Sequence, residues 1–400
     1  MTKKFLKTKG MSIIGPNGKP MILKGVNLGG WLLMEGYLMH ALNRPQREFK
    51  QNFEKALGKN ALKDFEKSFN NSFICEKDIA AIAKMGFNCV RVPFHFELIE
   101  EKPYQYSSRG LKYLKDLVRW AGRHRIWVIL DLHAAAGAQN HDWHSDSFGP
   151  ALLWQRKEFQ NRTFALWEFL ADQFKDEPWI AGYDLLNEAV LQDERLLNQF
   201  YKTLIKRIRK IDQNHMIFVE GNTWATNIKC LDAFDDDNIV LSVHFYEPLQ
   251  YTFNLTAHLS YPLRHQGKTW NKKTLRDILG AHFKVAKRCN RPVFVGEFGI
   301  NDRQGLYGEK LWLKDMLSLF REFGFSWTYW TYKSIKNAYL VDGIFSFLEN
   351  PPWVNRMGPV QGWSTYHLYW PKQKREMISS WKTESFQKNK WLLNTLRHAL

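Results

Sequence analysis

An α/β fold, a single (β/α)8 TIM barrel with long loops after strands one and eight, is predicted by three features of the 400-residue sequence. Short apolar runs recur eight times, the number of strands that closes such a barrel. Between them lie stretches whose apolar residues repeat with helical spacing. No Gly-x-Gly-x-x-Gly opens a helix after the first run, which removes the main support for a doubly wound open sheet.

In chain order the eight predicted strands are residues 21–27, 88–94, 127–133, 182–188, 216–221, 239–245, 293–298 and 326–331. Each is a short, nearly continuous apolar run, the pattern of parallel strands covered on both faces. Leu111, Leu114, Val118 and Ala121 predict an amphipathic helix after the second strand. Leu166, Leu170 and Phe174 predict one after the third, and Leu197, Phe200, Leu204, Ile208 and Ile211 one after the fourth. Two stretches exceed what a barrel needs. Residues 35–75 are long and helix-like, and 332–382 hold Trp353, Trp363, Trp370 and Trp381 among several prolines. Loops of that length are functional or carry their own structure. Residues 386–400 read as a last outer helix. The whole chain, 1–400, is expected to be one catalytic domain with an aromatic-rich insertion at about 332–382.

With 44% hydrophobic and 24% charged residues the chain can build a core, and wholesale disorder is excluded. Cys75, Cys89, Cys230 and Cys289 have no Cys-x-x-Cys spacing, so reduced thiols are expected. The basic start is followed by no apolar run of signal-peptide length, and no transmembrane stretch occurs. A cytoplasmic chain is expected, with signal-independent export as the alternative. The net charge of +17 gathers in runs at 3–9, 206–210 and 372–375. These read as solvated faces, or as a docking patch for an anionic membrane or envelope polymer.

In a barrel of this kind the site lies at the C-terminal ends of the strands. Those ends read Arg91-Val-Pro-Phe-His95, Asp131-Leu-His133, Asn187-Glu188, His244-Phe-Tyr246, Gly296-Glu297-Phe298 and Trp330. Polar groups at one end of most strands converge on one mouth. Glu188 and Glu297, on strands four and seven, can aim two carboxyls across a bound sugar. A retaining glycosidase needs such a pair about 5–5.5 Å apart, one as nucleophile and one as acid and then base. Either glutamate alone would read as readily as a structural ion pair.

Leu186-Asn187-Glu188, Val295-Gly296-Glu297-Phe298, Asp131-Leu-His133 and His244-Phe-Tyr246 resemble the motifs of glycoside hydrolase family 5, the cellulase-like retaining β-glycosidases. The resemblance spans roughly residues 20–335. It implies Glu188 as acid/base and Glu297 as nucleophile, with Asn187 on the sugar 2-hydroxyl. It implies that Arg91 and Tyr246 orient the nucleophile, that His133 and His244 line the sugar pocket, and that Trp330 is its stacking floor. Gly25-Val-Asn-Leu-Gly-Gly-Trp31 with Glu35, and Asp131-Leu-His-Ala-Ala-Ala-Gly-Ala-Gln139-Asn140, resemble the exo-β-1,3-glucanase-like branch. They imply sugar contacts from Glu35, Gln139 and Asn140. Ala189 stands where that branch has proline, and His141-Asp-Trp-His-Ser-Asp146 replaces its small loop.

The histidines and aspartates of that loop match no standard metal spacing. No metal or organic cofactor is expected, and the loop reads as solvated or substrate-contacting. Among tryptophans, Trp31, Trp143, Trp154, Trp224 and Trp330 fall near strand ends and are candidates for stacking on sugar. The reading is therefore a retaining hydrolase of β-glucosidic bonds in a β-1,3- or β-1,4-glucan or a β-glucoside, expected to be monomeric. A glycolipid such as glucosylceramide is the alternative within the class, favoured by the tryptophans of 332–382. The rival from another class is a barrel that binds polysaccharide or nucleic acid without cleaving it. The charge supports it and the intact carboxylate pair argues against it, so a nucleic-acid partner is not expected.

Overall fold

The structure, a computed structural model, describes residues 5–358 and 360–400; Lys3 and Lys4 of the first basic run lie outside the described residues. The eight strands are β1 (Lys24–Asn27), β2 (Cys89–His95), β3 (Trp127–Ala134), β4 (Ile180–Asp184), β5 (Met216–Glu220), β6 (Ile239–His244), β7 (Val293–Phe298) and β8 (Ser326–Tyr329). All pair in parallel and close in the order β5-β6-β7-β8-β1-β2-β3-β4. The helices of eight residues or more are α1 (Gln46–Leu57), α2 (Lys59–Phe73), α3 (Glu76–Met85), α4 (Ser108–His124), α5 (Lys157–Phe174), α6 (Glu194–Arg209), α7 (Lys272–Cys289), α8 (Glu309–Phe323), α9 (Tyr366–Ser380) and α10 (Lys390–Arg397). None is long and apolar enough to cross a membrane.

Two strands differ from the sequence expectation. Met21 pairs with Ile13 in a small antiparallel sheet with Lys7–Lys9 and Ser12–Ile14, so the first strand is split and β1 begins at Lys24. This sheet sits at the barrel floor, where Leu6 and Ile13 join the lowest interior cluster. The fourth strand ends at Asp184 rather than at Glu188. Leu185 and Asn187 still donate backbone hydrogen bonds to Phe218 and Leu132, but Glu188 turns into the left-handed region at φ 48° and breaks the extended chain.

Inward side chains alternate along each strand, and their chemistry changes with height. Cys89, Ile129, Phe218, Val240 and Phe294 form an apolar floor. One step up, Arg91, Asp131, Glu220 and Ser242 form a buried polar layer. At the mouth stand His133, His244 and Glu297. The sequence Val128-Ile-Leu-Asp-Leu-His133 is this gradient written along one strand.

The two long stretches pack on each other, not on solvent. Residues 35–75 form α1 and α2; residues 332–382 supply short strands at Lys333–Ile335 and Phe345–Phe347, and α9. Phe49 stacks on Trp363 at 5.2 Å, Phe65 meets Trp370 at 5.2 Å, and Phe69 meets Trp381 at 5.1 Å. Trp353, Trp363, Trp370 and Trp381 are all buried. This corrects the expectation that these tryptophans form an apolar face for an amphiphilic substrate: facing phenylalanines on α1 and α2 claim them. The basic runs at 206–210 and 372–375 lie on helices, with Arg207 paired to Glu168, Arg209 to Asp236 and Lys374 to Asp64, whereas Lys7 and Lys9 of the first run lie on a strand of the floor sheet.

Candidate active site

Glu188 and Glu297 meet at the mouth. Together with His244 they present ligand atoms that all lie within 4.8 Å of one another. Glu297 projects from the end of β7. A register shift between Val243 and His244 sets His244 directly opposite it on β6. The glycine before Glu297 makes this approach possible, because a Cβ on Gly296 would lie 3.0 Å from His244 Nε2.

Glu188 sits on the turn beyond β4. Its backbone N–H donates to Glu220 Oε2 at 2.6 Å, and its carbonyl accepts from Asn140 Nδ2 at 2.9 Å. Those two bonds hold the left-handed backbone. Its carboxylate accepts from His244 Nδ1 at 2.6 Å, and His144 Nε2 stands 3.5 Å away.

Below the pair, the fully buried Arg91 guanidinium gathers four carboxylates. It donates to Asp184, Glu220 and Glu297 at 2.9, 3.0 and 2.8 Å, and lies 3.1 Å from Asp131. It also donates to Asn27 Oδ1 and Asn187 Oδ1. Glu297 accepts a further hydrogen bond from the Tyr246 hydroxyl at 2.8 Å. Burial raises the Glu297 pKa, and the charges of His244 and Arg91 with the Tyr246 hydroxyl pull against that rise. Burial works against a charged His244, but Glu220, Glu297 and Glu188 outweigh it and push its pKa well up. His133 is held neutral, first by burial and then by Arg91. Burial lifts Glu35 to about 8. His144 is raised to about 9, its burial overcome by Asp142, Glu188 and Glu35.

A cavity of about 620 Å³ opens over these groups. Glu35, His133, Glu188, His244, Tyr246, Glu297 and Trp330 all line it. Trp330 stacks on His133 at 5.5 Å and donates through Nε1 to the Tyr37 hydroxyl. Arg91 and Asn187 lie beneath the lining, with Asn187 Oδ1 accepting from Arg91 and its Nδ2 3.3 Å from His133 Nε2.

Gln139 and Asn140 depart from the sequence expectation, since both are fully buried behind the turn. Gln139 Nε2 donates to the carbonyls of His133 and Asn187, and Asn140 holds the Glu188 carbonyl. Their side chains are spent on the backbone that carries the site, not on substrate. The loop 141–146, expected to be solvated or substrate-contacting, divides between the cavity and the interior. Asp142, Trp143 and His144 line the cavity, whereas Asp146 is buried and pairs with His95 and Arg47. Trp31 is core, its Nε1 donating to the Asn70 carbonyl.

Sequence reasoning missed Glu220, Asp184 and Tyr37. Glu220 ends the fifth strand, and reading that strand's last position as the others were read would have found it.

Among the described residues, Glu188, His244 and Glu297 are the grouping tight enough to hold a cation. The proton on His244 Nδ1 that bonds Glu188 occupies the lone pair a metal would need.

The sequence profile of the family described as Cellulase (glycosyl hydrolase family 5) matches residues 50–335. A β-xylosidase of Phanerodontia chrysosporium is 30% identical over 348 residues, covering 83% of this chain and 71% of that protein. Endoglucanase C of Acetivibrio thermocellus is 28% identical over 347 residues, covering 78% and 91%. A crystal structure of Thermotoga maritima Cel5A in complex with cellobiose superposes with a TM-score of 0.63, covering 94% of this chain and 96% of that one. At 19% identity that likeness speaks to the fold alone.

Proposed function

Because the chain belongs to glycosyl hydrolase family 5 and is thereby a retaining β-glycosidase, we propose that Glu297 is its nucleophile, Glu188 its acid/base, and a terminal β-linked glucosyl unit its target. The observation that carries this reading is the closeness of the two carboxylates, with oxygens inside 4.8 Å. That closeness suits double displacement better than the wider carboxylate separation of an inverting enzyme.

In the first step a Glu297 oxygen attacks the anomeric carbon, and the bond to the leaving oxygen breaks as Glu188 gives that oxygen its proton. In the second, Glu188 takes a proton from water, the water oxygen bonds the anomeric carbon, and the bond to Glu297 breaks. Arg91 and Tyr246 keep the attacking carboxylate ionised and aimed. Glu35, His133 and Trp330 form the sugar's bed, with Glu35 neutral near pH 7 and able to donate to a hydroxyl.

Exo action is supported by the loops. Leu340 N–H donates to the Phe253 carbonyl, Asn254 Nδ2 to the Ala338 carbonyl, and Asn337 Nδ2 to the Tyr37 carbonyl. The chain after β8 is thus knitted to the chains after β6 and β1, and this wall stands where a longer glucan would have to leave the Trp330 side. The four unpaired cysteines favour a reducing compartment, so we place the chain in the cytoplasm.

The test is chemical. On an aryl β-glucoside with a good leaving group, azide should rescue Glu188→Ala and give the β-glucosyl azide. Azide with Glu297→Ala should give the α-glucosyl azide. Full activity in either variant without azide, or azides of the opposite configuration, would overturn the assignment.

A further inference from the structure

The cavity has two halves of different chemistry. Around Trp330 the titratable groups gather, Glu35, His133, Tyr246 and both catalytic candidates, beside an apolar rim of Phe253, Leu340 and Val341. Past Glu188 the wall passes to Phe245 and Leu249, beyond β6, and to Ile278 and Ala281 on α7. Ile278 and Ala281 are three residues apart and share a helix face. His282, beside them, carries no charge, since burial and then Lys229 push its pKa down to about 4.

Lys229 and Glu247 also line this side, at its rim, and the uncharged polar groups here are already engaged. Asn227 Nδ2 donates to Glu194 Oε1 at 2.8 Å while its Oδ1 accepts from Lys229 N–H. Thr226 Oγ1 donates to the Thr223 carbonyl, and Trp224 Nε1 donates to Asp142 Oδ2.

Position decides which part of a substrate this half receives. β4 neighbours β5, so Glu188 stands between the sugar bed and the chain following β5 and β6. The acid protonates the leaving oxygen, and the leaving group therefore lies on the acid's far side from the bed. A second sugar placed there would bury several hydroxyls against carbon, taking from each its hydrogen bonds to water. We propose that this half of the pocket receives the leaving group, and that it is built for an apolar alkyl or aryl aglycone rather than a second sugar. The proposal rests on Glu188 being the acid, and it deepens that reading by naming the substrate class. It does not depend on the buried tryptophans of 332–382.

The experiment is a homologous series: methyl, butyl, hexyl and octyl β-glucoside, each below its micelle concentration, beside cellobiose and laminaribiose. The alkyl leaving groups differ little in basicity, so chain length reports on the wall. At roughly 0.8 kcal/mol per buried methylene, kcat/KM should rise up to about fourfold per carbon until the wall is filled. Octyl glucoside should exceed both disaccharides by at least tenfold. Ile278→Asp and, independently, the half-exposed Leu249→Asp should flatten the series, with thermal melts confirming that each variant is folded. A glucosylated lipid in phosphatidylcholine vesicles separates the sources of the same chemistry. Turnover there indicates a membrane glycolipid, and turnover of the free glucosides alone indicates a soluble aglycone. A flat series, or disaccharides hydrolysed as well as octyl glucoside, would overturn the proposal while leaving the catalytic pair intact. Failure to cleave any β-glucoside would instead strike the catalytic assignment itself, and this proposal with it.

Discussion

Glu188 and Glu297 face the same ring nitrogen, His244 Nδ1, at 2.6 and 3.6 Å. The histidine is held charged by three glutamates, so it lies between the two catalytic candidates as a fixed cation. Any change to one carboxylate is felt by the other through it.

The acid limb of the pH profile follows from Glu297. The nucleophile must be ionised, and burial sets its pKa above the ordinary carboxylate value. Activity should therefore be lost, as pH falls, at a higher pH than an exposed glutamate would give. The Tyr246 hydroxyl bonds the charged form and opposes this rise. Tyr246→Phe should move the acid limb of kcat/KM up by about one unit, because loss of that bond raises the nucleophile's pKa. A limb that stays in place or moves down would contradict the role given to Tyr246.

Much of this site was legible because barrel strands alternate strictly. Once Val128-Ile-Leu-Asp-Leu-His133 is read as a strand, Asp131 and His133 must face inward near its end. Residues whose function depends on their neighbours across the barrel were harder. Gln139 and Asn140 carry sugar-binding side chains, yet the turn after β4 needs those amides to satisfy its own carbonyls. The tryptophans of 332–382 carry no sign in the sequence that phenylalanines some three hundred residues earlier would cover them. The apolar wall on α7 is likewise invisible, since Ile278 and Ala281 read as ordinary helix positions until the fold sets them beside Glu188's pocket.

Glu220 links the acid's backbone, Arg91 and His244. Glu220→Gln keeps the shape but weakens charge-assisted bonds worth about 1.5–3 kcal/mol each. We expect kcat to fall on the order of 10- to 100-fold with KM little changed, because Glu220 does not line the cavity. Loss of the Glu220 charge should also bring the raised His244 pKa down, seen as a shift of the His244 ring signals in an NMR titration. A purely structural role would reduce the melting temperature and leave those signals in place.

The aromatic seam should be separable from catalysis. We propose that 332–382 folds as one unit with the barrel through Phe65, Phe69, Trp370 and Trp381. Truncating a buried tryptophan costs about 3–5 kcal/mol. Trp381→Ala should lower the melting temperature in a single calorimetric transition, with kcat on an aryl glucoside nearly unchanged below it. Two separate transitions would show that the segment is an independent unit.

Glu35 offers the last prediction, a cost in stability built into the sugar bed. Its carboxyl is buried, with Oε1 lacking a hydrogen-bond partner, and its pKa rises from 4.5 to about 8. Between those values the folded state holds a proton that the unfolded chain has released, so stability falls as pH rises through that window. Below 4.5 both states are protonated and above 8 both are ionised, so the loss is confined to the interval. Glu35→Gln cannot ionise. The variant should therefore gain on the parent protein steadily from pH 4.5 to 8 when unfolding midpoints in urea are compared. His144, raised to about 9, remains in both proteins, and the subtraction removes most of its contribution. Parallel stability curves across the interval would mean that Glu35 is already ionised in the folded protein, and its assignment as a neutral hydrogen-bond donor to the sugar would fall.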